Sequence, residues 1–413
     1  MPASAPELGS LLSEHAARHA VPGAVLGVLE DGELTIAAYG VADMATGERV
    51  TEDTRFAVGS LGKSLLATAI AQLAGAGRLA LDDPVVEHIP ELVGSRWATG
   101  VGLRDLLANR SRLPLLDRYE FGPFAGEDDA VLARFAAELA SGGRTAPFWS
   151  YTNAGWCLVG RALETASGLT WEDAMRDVVL EPLGLRQTTF ANVPVAEPRA
   201  RGHRAAEPGA PWAPRFLAPA GSTLFSTAGD LLRFAEVHLA DERLAHLRKP
   251  HANVRIHSWL DAWCLGWAQF EWPAGPVWGW DGLLPGYRAI LRILPEHGRA
   301  IALLTNDDRG RALYRSLFAE LTAMPPLSLD PSPGAATDLE SFAGEYGWPD
   351  RRWSVSVSGD FLVLEGDGHT VEALPISERV FLVDADDPDN PTVTFQDGVL
   401  YVMLWGLPRL FRR

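Results

Sequence analysis

The chain has 413 residues, 47% hydrophobic and 22% charged, with a formal net charge of −17 at pH 7. That is an ordinary globular composition, long enough for a large domain and a small one. The acidic balance, with no basic run against it, excludes nucleic acid and anionic membrane as expected partners, since both need a basic face. No stretch approaches the roughly 20 apolar residues of a spanning helix. Met1–Ala20 is polar, without the apolar segment of a secretory signal, so a cytoplasmic protein is expected.

Residues 7–19 pattern as an amphipathic helix, and 24–29 and 34–39 as two strands around Asp31-Gly32, a hairpin signal. An apolar helix then runs from Ser60 to about Leu73, with Gly75 and Gly77 suited to end it. A helix-rich stretch follows from Leu81-Asp82-Asp83-Pro84 to about residue 190, including 103–107, 127–140 and 155–167; between strands, it predicts a helical subdomain inserted in an α/β (α+β) domain. Ser226–Asp230 leads a helix to about Ala240, strands are predicted at 287–294 and 300–305, and a helix at 309–322. The proline- and glycine-containing stretch 323–337 reads as a linker. From 338 to 413, short alternating runs at 353–357, 361–364, 380–383, 392–395 and 399–404 predict a small antiparallel all-β barrel or sheet.

Chemistry concentrates at Gly59-Ser60-Leu61-Gly62-Lys63. On a helix, positions i and i+3 share a face, with Cβ atoms about 5–6 Å apart, so the Lys63 amine can reach the Ser60 hydroxyl. A desolvated lysine whose pKa falls can activate a serine alcohol. A bare Ser-x-x-Lys is common by chance, but of 36 basic residues 34 are arginine and only Lys63 and Lys249 are lysine. Guanidinium cannot give up its proton, so lysine is kept where a proton acceptor is needed. Ser60, at a helix start, also offers its own backbone N–H to a developing oxyanion.

Two further segments fit such a site. Trp149-Ser150-Tyr151-Thr152-Asn153 supplies a phenol able to relay a proton, with an asparagine two residues on that points the same way along an extended loop. Gly279-Trp280-Asp281-Gly282, before the 287–294 strand, has the small residues that let a substrate carbonyl lie against a strand edge, with Leu283 N–H as second donor; a plain tight turn explains it nearly as well. Tryptophans between Trp259 and Trp280 suggest an apolar cleft wall.

The ordered set Ser60-x-x-Lys63, Leu79-x-Leu81-Asp82-Asp83-Pro84, Tyr151-x-Asn153-Ala154-Gly155, Glu181-Pro182-Leu183-Gly184-Leu185, Ser226-Thr227-Ala228-x-Asp230-Leu231 and Gly279–Gly282 resembles the serine β-lactamase-like hydrolases. These include class C β-lactamases, D-alanyl-D-alanine carboxypeptidases, D-aminopeptidases and related esterases, and the match spans about residues 8–322. The resemblance implies a β-lactamase/transpeptidase-like fold over 1–322, with an antiparallel sheet flanked by helices, and a lipocalin-like module at 338–413. It makes Ser60 the acylated nucleophile, Lys63 and Tyr151 its proton managers, and Asn153 a contact to the substrate amide, with no cofactor or metal. Many members begin the third motif with His or Lys where this chain has Trp280, as the esterase branch often does. An anionic Asp281 at the cleft edge would repel a substrate carboxylate, which argues against β-lactams and free D-alanyl termini. The usual His-Thr-Ser-Gly stretch stands here as Asn109-Arg110-Ser111-Arg112, so that loop should differ in shape.

Competing sites are weaker. No Gly-x-Ser-x-Gly elbow is present. The ten histidines show no metal-type pairing, which leaves His203, His251 and His257 as surface or loop residues, and Cys157 and Cys264 as buried free thiols. Asp82-Asp83 and Asp386-Asp387 read as a helix-cap region and a solvated turn. A serine hydrolase or acyltransferase taking a small-molecule or peptide ester, amide or thioester is therefore expected. The alternatives are a penicillin-binding-protein-type thioesterase that cyclises nonribosomal peptides, a simple carboxylesterase, and a non-catalytic binding protein of the same fold.

Overall fold

A computed structural model describes residues 4–113, 124, 126, 128–143, 149–193, 199–204, 207–208, 214–254, 260–273, 275–322, 331–332, 334–336, 338–348, 351–366, 368–383, 392–396, 398–402 and 409–412. The chain forms two compact units, one of residues 1–252 with 263–324, the other of 253–262 with 325–413. The chain therefore passes between units at three points.

The first unit is built on a sheet whose main strands are β1 (Gly23–Glu30), β2 (Glu33–Asp43), β3 (Ala268–Trp272), β4 (Gly275–Leu284), β5 (Tyr287–Leu294) and β6 (Arg299–Thr305). Their order is β2-β1-β6-β5-β4-β3, extended by Glu48–Arg49 beyond β2 and by Ala262–Trp263 and Ala252–Asn253 beyond β3. The pairings among the main strands are antiparallel. The central strands β1, β5 and β6 are near-continuous buried apolar runs, as strands covered on both faces must be. Helices α1 (Ala5–Arg18) and α6 (Gly310–Leu321) pack together, tied where His15 Nδ1 and His19 Nε2 lie 2.8 and 2.9 Å from Ser316 Oγ.

The helical region carries α2 (Gly62–Gly75), α3 (Val131–Ala140) and α4 (Asn153–Ser167), and α5 (Ala228–Ala240) follows it. Helix α2 is buried almost all round, which explains its apolar sequence without a polar stripe. A small three-stranded sheet, Phe56–Ala57 against Leu224–Ser226 against Thr189–Phe190, holds the chain just ahead of Ser60. His203, expected at the surface, is fully buried with Nδ1 3.1 Å from the Asn306 carbonyl. His257 lies outside the described residues, as does the Asp386-Asp387 pair. Both cysteines are buried thiols not joined in a disulfide, and burial pushes Cys264 up to about 12.

The second unit contains a closed barrel of eight strands in chain order, Gly344–Trp348, Arg351–Ser358, Phe361–Gly366, His369–Pro375, Val380–Leu382, Thr392–Gln396, Val399–Val402 and Arg409–Arg412. The last strand returns to the first at Tyr346↔Arg412 and Gly347↔Phe411, so no sheet edge is left open. Its core is Tyr346, Trp353, Val355, Leu362, Leu364, Phe381, Val393, Phe395 and Leu400. Part of the expected linker belongs to this unit: Ser332 N–H donates to the Pro375 carbonyl and Ala336 packs into the core. Residues 323–330 of that linker are outside the described set. Among the described residues no helix is long and apolar enough to cross a membrane.

Candidate active site

The segment before Ser60 is fixed by backbone bonds. Val58 N–H donates to Leu224 O at 3.0 Å, and Leu61 N–H returns to Val58 O at 3.2 Å. Ser60 sits in the 3-10 turn Gly59–Leu61, which runs directly into α2. The three-residue spacing then brings Lys63 Nζ to 2.9 Å from Ser60 Oγ. Lys63 is fully buried, and its amine meets two more oxygens at 2.9 Å, Asn153 Oδ1 and the Ala220 carbonyl.

Those two oxygens can only accept, so each takes one N–H of the amine. A neutral amine has two N–H groups and one lone pair. With both donors engaged, the lone pair is left for the third neighbour, the Ser60 hydroxyl. In the ammonium form the same contact reverses, and Nζ donates to Ser60 Oγ.

Tyr151 lies with its ring centroid 4.9 Å from Lys63 Nζ. Thr152 is the N-cap of α4, its side chain accepting from Gly155 N–H at 3.1 Å. Asn153 is thus the first residue of a helix, where an extended loop was expected, and it reaches Lys63 from the helix start. The preceding loop is held by Asn109, in the left-handed region at φ 56°, a conformation asparagine tolerates better than most residues. Its carbonyl accepts from Ser150 N–H at 2.7 Å and its Oδ1 accepts from Trp156 Nε1–H at 3.0 Å. Asn109 therefore grips both flanks of the Tyr151–Asn153 segment.

The third motif is neither a turn nor a strand end, for Trp280–Leu283 sit inside β4. Gly282 faces the nucleophile turn so closely that a Cβ there would lie 1.8 Å from Val58 O, and a Cβ on Gly59 would lie 2.8 Å from Leu283 N. Trp280, two residues from Gly282, shares its face. Its indole N–H donates to the Tyr151 phenol oxygen at 3.0 Å. Trp263 completes an aromatic group, with ring centroids 4.8 Å from Trp280 and 5.5 Å from Tyr151. The tryptophan wall read from the sequence is thus in place at Trp263 and Trp280, whereas Trp267 stacks on Phe234 instead, and Trp259 is outside the described residues.

Asp281 corrects the sequence expectation. Neighbouring strand residues point to opposite faces, so with Trp280 turned to Tyr151, Asp281 turns away. Arg292 stands opposite Gly279 in register and reaches diagonally to Asp281, Nη2 to Oδ1 2.7 Å. Burial works to lower the Arg292 pKa, but the Asp281 carboxylate and the Tyr314 phenol outweigh it and leave it raised. A carboxylate neutralised from behind the strand gives no ground for excluding anionic substrates.

Ser60, Lys63, Tyr151, Asn153, Trp280, Gly282 and Leu283 are brought together, and Asp281 faces elsewhere. No sequence motif points to the Ala220 carbonyl, a backbone group, or to Arg292 and Tyr314. From the sequence, Asn109 stands out only as a departure from the His-Thr-Ser-Gly pattern of the resemblance.

The Beta-lactamase family matches residues 8–323. Penicillin-binding protein 4 of Amycolatopsis lactamdurans is 33% identical over 361 residues, covering 79% of this chain and 93% of its own. A crystal structure of SurE with D-Leu is 26% identical, with 99% of each chain covered and a TM-score of 0.78. A class C β-lactamase from Rhodobacter sphaeroides, at 22% identity and a TM-score of 0.65, shares the fold over 76% of this chain and 98% of its own. Its Ser-x-x-Lys turn, its sheet and its family match leave one conclusion: this chain belongs to the beta-lactamase family.

Proposed function

We propose that the protein is a serine acyl-transfer enzyme working through an acyl-enzyme on Ser60, with an ester, amide or peptidyl thioester as acyl donor. The observation that carries this is the Lys63 environment: two obligate acceptors at 2.9 Å leave the amine lone pair for the Ser60 hydroxyl at 2.9 Å. The serine proton passes to Lys63 Nζ as Oγ bonds to the substrate carbonyl carbon. The oxyanion is held by Ser60 N–H and Leu283 N–H, whose proximity the Gly59 and Gly282 approaches support. Tyr151, beside Lys63 and oriented by Trp280, passes a proton to the leaving oxygen, nitrogen or sulfur as the carbonyl bond to it breaks. Water or an amine then attacks the acyl-serine by the reverse route and regenerates Ser60. Asn153 reaches the same pocket and contacts the substrate amide.

A peptidyl thioester, with an amine of the same peptide as acceptor, is one donor to test among these. Likeness to SurE runs over 99% of both chains, barrel included, and that protein was crystallised with D-Leu. A peptide carrying a D-residue at the acyl terminus is therefore the first substrate to try. A carboxylesterase activity is the second reading, favoured by Trp280 in place of a cationic residue. The test is intact-mass detection of an acyl-enzyme across aryl esters, D-amino-acid amides and peptidyl thioesters, with product mass separating ring closure from hydrolysis. Absence of any Ser60 adduct with these donors and with a fluorophosphonate probe would leave a binding protein of this fold.

A further inference from the structure

We propose that Arg292 and Asp281 are positioning residues, a clamp anchored on a buried arginine that sets the third-motif strand against the nucleophile turn; the inference rests on the acyl-transfer reading above. Arg292 is fully buried. Its guanidinium meets Asp281 Oδ1 at 2.7 Å, the Tyr314 hydroxyl at 3.0 Å, the Leu291 carbonyl at 3.0 Å and the Trp280 carbonyl at 3.3 Å. It also lies over the Phe270 ring at 4.3 Å and the Tyr314 ring at 5.0 Å from the centroids. A cation so placed has no water to fall back on, so its partners are held to one geometry.

Two of those partners, the Asp281 carboxylate and the Trp280 carbonyl, belong to β4 at the point where its opposite face carries Trp280 and Gly282. The clamp thus runs from Tyr314 on α6, through Arg292 on β5, to the backbone that offers Leu283 N–H and aims the Trp280 indole at Tyr151. An apolar pair of the same volume would fill the space. It would not fix the angle of the strand, because apolar contacts are non-directional, whereas Arg292 donates hydrogen bonds to the Tyr314 hydroxyl and to the Leu291 and Trp280 carbonyls, with the Asp281 charge as a close partner outside hydrogen-bond alignment. Gly279, opposite Arg292, has no room for a side chain: a Cβ there would come 2.0 Å from the Leu291 carbonyl oxygen and 3.1 Å from Arg292 Cδ.

The experiment compares the full chain with Asp281→Asn, reading the rate of Ser60 fluorophosphonate adduct formation, kcat and KM on an aryl ester, and the thermal midpoint. A strand displaced by about 1 Å lowers rate by roughly 10²-fold. Asp281→Asn is expected to lose ~10- to 100-fold in kcat and in adduct rate, with KM within about threefold. In a Trp280→Phe background the same change should cost up to about fivefold less, the share carried by the Trp280–Tyr151 contact, with the remainder carried by the placement of Leu283 N–H. Parental kcat with a lowered midpoint would reduce the pair to packing and overturn the proposal. If the Asn variant does not fold, Asp281→Glu keeps the charge but lengthens the reach; a roughly tenfold kcat loss supports the clamp and a parental kcat overturns it. A parent chain that forms no adduct at all would sink the acyl-transfer reading first, and the clamp with it.

Discussion

Gly282→Ala asks how tightly the third motif must approach the nucleophile. The added Cβ would stand 1.8 Å from Val58 O, where contacts under 3.0 Å are essentially never made, so a gap of 3.0 − 1.8 = 1.2 Å must open. The obstacle is a backbone carbonyl, which cannot swing aside, and it already accepts from Leu61 N–H at 3.2 Å. Strand and turn must therefore part, carrying Leu283 N–H away from the Ser60 pocket. A misplacement of ~1 Å costs about 10²-fold in rate, and the overpacked contact about 1–3 kcal/mol in stability. Stopped-flow acylation by an aryl ester, with urea titration in parallel, separates the two effects. Acylation within about threefold of the parent would refute the placement of Leu283 N–H as an oxyanion donor.

Lys63→Arg keeps a charge but cannot accept a proton, and acylation should fall by roughly 10³-fold, close to a Ser60→Ala control. Retention of most activity would remove lysine as the base. Trp280→Phe keeps the ring and deletes the indole donor to Tyr151; loss of one hydrogen bond, ~1 kcal/mol, predicts about a fivefold fall in kcat, and an unchanged kcat would make the contact incidental. His238 is buried against Thr68 on α2, Nε2 3.0 Å from Oγ1, and burial, then Arg248, lower its pKa to about 3. It folds neutral and unfolds into a group titrating near 6.5, so its stabilising contribution is whole above pH 6.5 and declines below it, by up to ~1.4 kcal/mol per pH unit. Between pH 6.5 and 5 urea unfolding should therefore show up to ~2 kcal/mol lost, and less in His238→Gln; equal losses in both would place the acid sensitivity elsewhere.

What the sequence disclosed depended on whether the chemistry was local. Ser60 and Lys63 are three residues apart on one helical rise, so their meeting could be read from spacing alone. Strands β1, β5 and β6 announced themselves as apolar runs. Strand β4 did not, because Gly275, Gly279 and Gly282 have poor strand propensity and look like a turn. Once β4 is misread, the direction of Asp281 follows wrongly, since only the two-residue alternation of a strand turns it from the cleft. Arg292 and Tyr314 escaped notice for a related reason: they join the site through register and burial rather than motif. In the barrel, Gly344–Trp348, His369–Pro375 and Arg409–Arg412 were missed because short half-polar strands offer little periodicity.

The chain leaves the first unit at residue 252, re-enters it at 263, and departs again after 324. A stop codon at 325 would therefore not yield a clean catalytic fragment. It would leave residues 253–262, which belong to the second unit, in the middle of the remaining polypeptide. A fragment made of the first unit alone has to be cut twice, with a short bridge in place of 253–262 and an end after 324.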